Sequence, residues 1–310
     1  MGILDFPIHG RAAAKQPDTG LAKALDGFSI EVMPRTAAKV PSFSDILPAG
    51  TRVYIANIDG TPLDDMVATA KRLTEDGFAV MPHIPARMIE SRAMLEEWLR
   101  RYRDEAGVDQ ALVLAGGLPA PRGEFDSSMQ LLETGLFEQY GFRRLHVAGH
   151  PEGSRDIDPD GSTRNVDAAL QWKQEYACRT GTEMAIVTQF VFDARPALGW
   201  SERIRANGIT LPIHLGVAGP ARLQTLIKFA MACGVGPSIQ VLRKRAMDLT
   251  KLMLPYTPAE VLSGAANHLS SHPGSLIKQM HVFPLGGIVA AADWVRDHRA
   301  EATRDSACSA

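Results

Sequence analysis

The sequence predicts an α/β protein, a single (β/α)8 TIM barrel with an extra helical insertion before strand eight. Three observations carry that expectation. Eight short apolar or β-branched runs follow one another along the chain, and amphipathic stretches of helical period lie between them. No GxGxxG follows the first run, which counts against the competing doubly wound open sheet with its nucleotide loop. Eight strand and helix units fill one barrel and need no second domain.

The first run is "FSIEVMP" (28–34) and the second "TRVYIANI" (51–58), followed by "PLDDMVATAKRLTEDG", which opens at Pro and closes at Gly as helix ends require. "AVMPHIPA" (79–86) precedes "SRAMLEEWLRRYRDEAG", and "QALVLAGG" (110–117) is the fourth run. "LHVAGHPE" (145–152) leads into "NVDAALQWKQEYACRTG", "MAIVTQFVFD" (184–193) is the sixth run, and "LPIHLGVAG" (211–219) leads into "ARLQTLIKFAMACGVG". The stretch 237–278 is too long for a loop and reads as an extra helical pair. "MHVFPLGG" (280–287) and the amphipathic "IVAAADWVRDHRA" complete the eighth unit. The expected organisation is an N-terminal extension over 1–20, one catalytic domain over 21–300 and a frayed tail over 301–310, with no regulatory domain after the barrel.

Bulk chemistry narrows the function classes. The 310 residues are 45% hydrophobic and 22% charged, with a formal charge of −2 and both signs interspersed. Such a surface offers no broad basic field for nucleic acid, so small-molecule chemistry is the expectation. No run of about 18 apolar residues suggests a membrane span. Cys178, Cys233 and Cys308 are far apart and form neither a CxxC pair nor a zinc-ligand spacing, which fits a reducing cytoplasm and predicts no metal site. Monomer and homo-oligomer are both left open.

In a barrel of this kind the ligand site forms at the C-terminal ends of the strands. The polar residues and glycines at those positions are Glu31, Asn57, Asp59, His83, Gly116, Gly117, His150, Glu152, Thr188, Gln189, Asp193, Gly216, Gly219, Gly286 and Gly287. Glu31 lies between Ile30 and Val32, where a buried carboxylate is costly unless it is paired or used, and a raised pKa would suit a general acid. His83, between Pro82 and Pro85, reads either as a ligand contact or as a hydrogen-bonded core histidine. Gln189 carries a donor and an acceptor suited to the edge of a pterin or pyrimidine ring, and equally suits a structural amide at a strand end. Asp167 and Lys173 fit a ribose hydroxyl and a phosphate, or simply a solvated helix face. No strand end offers the Lys of a Schiff-base lyase or aldolase.

The order of these pieces resembles the methylenetetrahydrofolate reductase family across most of residues 28–287. "IEVMPR" is similar to the family's first strand, with Glu31 before a proline-containing bend at Pro34, and "MPHIP" ends the third strand in a histidine at His83. "VAGHPEG" is similar to the family's Ala-Gly-aromatic-Pro-Glu-Gly, and "VTQFVFDA" to its Thr-Gln-Phe-Phe-Phe-Asp; "LPIHLGVAG" and "MHVFPLGG" follow its last two strands more loosely. The resemblance implies a barrel that binds FAD and moves hydride between NADH or NADPH and a tetrahydrofolate derivative. It implies that Glu31 is the general acid opening the methylene-bridged ring and that Gln189 hydrogen-bonds the pterin. His83, Ala148, Gly149, His150, Glu152, Asp167 and Lys173 would line the flavin and its phosphates, Ala148 and Gly149 by being small.

Departures fall in the same regions. The family's fourth strand ends Leu-Arg-Gly-Asp, whereas this chain reads "LAGG", so Gly117 stands where a flavin- and pterin-facing Asp is expected, and Ala115 replaces the Arg. His150 replaces an aromatic, Ser154 a histidine, and Leu223 the aromatic that stacks on the substrate. Asp59, in the changed loop "ANIDGTP", and Glu152 are the carboxylates able to substitute for the missing one. These changes keep two alternatives in view: direct hydride transfer from NADH without flavin, and a non-catalytic folate-binding barrel partnering a methyltransferase. Use in either direction, methyl supply or methyl oxidation, is compatible with the sequence.

Overall fold

The computed structural model describes residues 19–232, 242 and 255–308, with side chains described as far as residue 300. The eight apolar runs are eight strands: β1 Ser29–Val32, β2 Arg52–Ile55, β3 Ala79–Pro85, β4 Gln110–Leu114, β5 Arg144–Gly149, β6 Glu183–Val191, β7 Ile213–Ala218 and β8 Ile277–Phe283. All pair in parallel in chain order, and β8 closes on β1, so the molecule is a (β/α)8 barrel.

The outer ring comprises α1 Thr19–Ala24, α2 Pro34–Ala37, α3 Leu63–Glu75, α4 Arg92–Ala106, α5 Ser128–Glu133, α6 Leu136–Gln139, α7 Arg164–Thr180, α8 Ala194–Ala206, α9 Leu223–Ala232, α10 Ala259–Ser271 and α11 Ile288–Cys308. Capping and periodicity account for them locally. Ser91 Oγ accepts the Met94 N–H to start α4, Ser127 and Gln130 satisfy each other's backbone at α5, and Asp193 accepts the Arg195 N–H at α8. Met66, Val67, Ala70 and Leu73 fall on one face of α3 and are buried. Outward strand residues such as Ile30, Val53, Val113, Val147, Ile186 and Val217 meet these faces in the main core.

The β7–β8 crossover holds two helices among the described residues, α9 and α10; α10 lies within the expected insertion over 237–278, of which 237–241 and 243–254 lie outside the described residues. Helix α11 continues to Cys308, across the segment expected to fray from 301.

The lumen is layered, and its chemistry is unusual for a fold whose interior is dominated by branched apolar side chains. At the N-terminal end, Arg52 reaches Gln110 at 3.3 Å and Gln279 at 3.5 Å, and Arg144 pairs with Glu183. Above them, Tyr54 on β2 crosses the barrel to His146 on β5 (Oη to Nδ1, 2.6 Å) and His214 on β7 (3.4 Å). His281 on β8 contacts the Tyr54 ring edge-on at 4.4 Å and lies 3.0 Å from Ser29 Oγ through Nδ1. Met81, Leu112 and Val187 fill the remaining space around Tyr54. The next layer up is the site.

Candidate functional site

At the C-terminal mouth, Glu31 from β1 meets His83 from β3 across the lumen, with Glu31 Oε2 to His83 Nε2 at 3.3 Å. From below, His281 Nε2 lies 3.8 Å from the same oxygen. Neither contact is aligned as a hydrogen bond, so both Nε2 atoms are buried with polar capacity in reserve. His281 is fully buried, whereas 12% of the His83 side chain and 19% of the Glu31 side chain face the mouth.

This pairing reverses one expectation. Burial acts to raise the Glu31 pKa, but the charge of His83 and the donors of His281 and His83 outweigh it and hold the carboxyl down to about 2. In the free site Glu31 is therefore a carboxylate. Burial, only partly offset by Glu31, lowers His281 and favours a neutral ring. Burial likewise lowers His146 well below its ordinary value and His214 to about 3, and it raises Tyr54, so the layer beneath is uncharged at neutral pH.

Gln189 is aimed by a bulge in β6. Val187 pairs with His214 but Phe190 with Gly216, so β6 carries one residue more than β7 across this interval. The bulge is held by Thr188 Oγ1, which accepts the Gly216 N–H at 2.8 Å and donates to the Gln189 carbonyl at 2.9 Å. A Cβ on Gly216 would meet the Thr188 carbonyl oxygen at 2.5 Å and the Gln189 carbonyl oxygen at 2.6 Å, which is why only glycine fits. Gln189 Oε1 accepts the Phe190 N–H at 3.1 Å, leaving the half-buried amide Nε2 without a partner among the described residues.

The expected cofactor residues divide. Lys173 is buried on α7 and has no ion pair among the described residues, and desolvation lowers its pKa to about 8. His150 is close enough to feel its charge, and burial followed by Lys173 lowers it to about 4. Asp167 is committed elsewhere: it receives Thr163 Oγ1 at 2.8 Å and pairs with the Arg203 guanidinium at 2.6 and 3.1 Å, pinning α7 to α8. Asp167 thus has a structural role at the α7–α8 contact. A Cβ at Gly149 would collide with Ile186 and meet Trp200 at 3.0 Å, so packing against α8 requires the glycine. Ala148 is half-buried at the mouth, Glu152 is half-buried in the following loop, and Gly117 is exposed.

Asp59 is exposed and bound to Arg122 at 2.6 Å, which links the β2 and β4 loops. Leu223 is buried in an apolar cluster at the rim of β6–β8 with Phe190, Phe192, Tyr256 and Phe283. Among the described residues, no group of three or more His, Cys, Asp or Glu side chains has the arrangement of a metal site.

Ser29, Tyr54, His146, His214 and His281 escaped sequence reading. One signal was present: "LHV", "IHL" and "MHV" each place a histidine between apolar neighbours inside a strand, and the three recur on β5, β7 and β8. Also missed were Arg87, which binds Asp126 at 2.7 Å, Asp156 at 2.9 Å and the Leu118 carbonyl at 2.8 Å to join the β4 and β5 loops, and Asp158. The Asp158 carboxylate accepts the Asn165 and Val166 N–H groups at the start of α7, so much of the polar run after β5 serves the fold.

Fold and site together define a (β/α)8 barrel with a carboxylate–histidine cluster at its C-terminal mouth. The chain is similar to a 5,10-methylenetetrahydrofolate reductase from Pectobacterium carotovorum subsp. carotovorum: the two are 28% identical over 170 residues, a match covering 55% of this chain and 53% of that protein. The match thus spans about half the length of that relative. No family model matches the chain. Among solved structures, the barrel is similar to an uncharacterized protein from Clostridium thermocellum described as binding two copies of 5-methyl-5,6,7,8-tetrahydrofolic acid. The TM-score is 0.55 at 12% identity, over 91% of this chain and 98% of that one. No described helix is long and apolar enough to cross a membrane.

Proposed function

We propose that the barrel mouth is the active site of an oxidoreductase interconverting 5,10-methylenetetrahydrofolate and 5-methyltetrahydrofolate by hydride transfer, with NADH or NADPH as co-substrate. The observation that carries this reading is the Glu31 carboxylate set between His83 and His281 at the mouth, on the strand where the family resemblance puts the acid. In the reducing direction this cluster delivers a proton to N10 of the bridged ring. The C–N10 electron pair leaves with the nitrogen, and the resulting N5 iminium carbon accepts hydride. Gln189 Nε2 supplies a donor for the pterin edge. The same fold accommodates 5-methyltetrahydrofolic acid in the Clostridium neighbour.

FAD is the proposed hydride carrier, and when bound it would relay hydride between the two substrates. The buried Lys173 ammonium with His150 beside it fits the phosphates of such a group. A second reading, direct transfer from NADH, is favoured by two observations: strand four ends without a carboxylate, and Asp167 is occupied by Arg203. A visible spectrum of the purified protein, before and after NADH and then methylenetetrahydrofolate, separates the two. Failure to turn over either folate with any electron donor or acceptor leaves the folate-binding, non-catalytic reading. Glu31→Gln is expected to lower kcat by about 10²–10⁴-fold while 5-methyltetrahydrofolate still binds by calorimetry. Unchanged turnover would remove Glu31 from the mechanism.

A further inference from the structure

The Glu31 cluster contains one member with no access to the mouth. His281 is fully buried on β8, its Nδ1 3.0 Å from Ser29 Oγ and its Nε2 3.8 Å from Glu31 Oε2. One assignment of protons suits the three groups, with Ser29 and His281 hydrogen-bonded and His281 Nε2 facing Glu31 across 3.8 Å. If His281 Nδ1 donated to Ser29, the serine proton would have no acceptor among the described residues, and a bare Nε2 lone pair would face the Glu31 carboxylate. If Ser29 donates to Nδ1, the ring carries its proton on Nε2, directed at Glu31.

We infer that His281, oriented by Ser29, is the positioning residue for Glu31: its Nε2–H presents positive charge to the carboxylate from beneath, 3.8 Å away, so that the proton delivered to substrate is shared between Glu31 and His83 at the mouth. This rests on the proposed reaction at the same site. The shared proton moves to N10 as the C–N10 bond breaks, and the pair recovers one proton from solvent through the mouth, which only Glu31 and His83 of the three reach. His281 keeps its own proton throughout.

The groups facing His281 are compatible with that role. Ser29 and Glu31 face it from β1, Tyr54 and the more distant Arg52 from β2, His83 from β3, His146 from β5 and His214 from β7. Arg52 supplies standing positive charge beneath the layer, and Glu31 is the carboxylate facing His281 from above. A protonated His281 would add a cation to a lumen that already holds Arg52 and Arg144 beneath this layer, so the neutral ring is the state this surrounding favours.

The test compares Ser29→Ala, His281→Leu and His281→Gln with the wild-type protein. Nitrogen-15 NMR of histidine-labelled protein, with His281 identified by its loss in the variants, is expected to show the Nε2–H tautomer in the wild type and a mixture in Ser29→Ala. A wild-type Nδ1–H tautomer overturns the inference, and this measurement needs no turnover. In steady-state kinetics, removing a positive N–H end that faces the carboxylate lets Glu31 hold its proton more tightly. The alkaline limb of kcat/KM in His281→Leu should therefore move up by about one pH unit, with kcat roughly tenfold lower. His281→Gln, which returns an N–H near the Nε2 position, should restore the limb, and 5-methyltetrahydrofolate affinity by calorimetry should stay within about threefold throughout. An unmoved limb in His281→Leu, or equal losses of binding in the Leu and Gln variants, overturns the inference. Absence of turnover in the wild type counts against the proposed reaction, and the tautomer measurement then decides the question of His281.

Discussion

At the scale of single residues, the site is built from side chains whose ordinary ionisation has been altered by neighbours. Glu31 was expected to be a lone buried acid with a raised pKa, yet burial alone does not set its charge, because His83 and His281 act in the opposite direction and win. Lys173 is the converse case: burial has removed solvent and no carboxylate among the described residues replaces it. A charged group held this way destabilises the empty protein and is useful only when an anion arrives. Lys173→Met is accordingly expected to stabilise the empty protein at pH 7 by on the order of 1–3 kcal/mol, read as a raised Tm. The same variant should weaken binding of a flavin or nicotinamide dinucleotide. A fall in Tm would show that Lys173 has a structural partner instead.

At the scale of elements, strand irregularity does what regular strands cannot. The β6 bulge re-aims Gln189, and it depends on Thr188 filling the gap with one hydroxyl and on Gly216 keeping clear of two carbonyl oxygens. Gly216→Ala must displace backbone rather than a flexible side-chain tip, so a loss of roughly 1–3 kcal/mol is expected by chemical denaturation. If Gln189 reads the pterin, folate KM should rise in the same variant. Stability within about 0.5 kcal/mol of wild type would contradict the bulge geometry. The loops after β4 and β5 show how composition misleads at this scale. Their carboxylates are polar groups on ligand-facing loops, but Asp126 and Asp156 are spent on Arg87, which follows β3, and Asp158 caps α7.

At the scale of the whole molecule, a lumen containing neutral histidines imposes a direction on acid stability. His146, His214 and His281 have folded pKa values below the ordinary 6.5, so below that pH the unfolded chain binds protons that the folded chain does not. Stability therefore falls as pH drops from 6.5 toward about 3, the value of His214. Glu31 adds to the fall from 4.5 toward about 2, where its carboxylate is finally protonated in the folded state. Denaturant midpoints at pH 7.5, 5.5 and 4.5 (about two His-sensitive steps) should decline in that order, and His214→Gln should flatten the decline. Equal midpoints would mean that the lumen takes up protons without cost.

The sequence by itself determined the architecture: eight alternating strand and helix patterns, with caps at the right ends, permit little besides a closed barrel, because each pattern is a local consequence of which face must be buried. It also placed Glu31, His83 and Gln189 at the ends of their strands, since strand ends are legible from where the apolar run stops. Only the tertiary structure decided which of the polar residues meet. Contacts across a lumen join strands that are not neighbours in sequence or in the sheet, and their height depends on strand stagger and on one extra residue in β6. For that reason Tyr54 and three strand histidines became a buried polar layer, Gly149 and Asp167 turned out to serve packing and an ion pair, and Glu31 became a carboxylate held between two imidazoles.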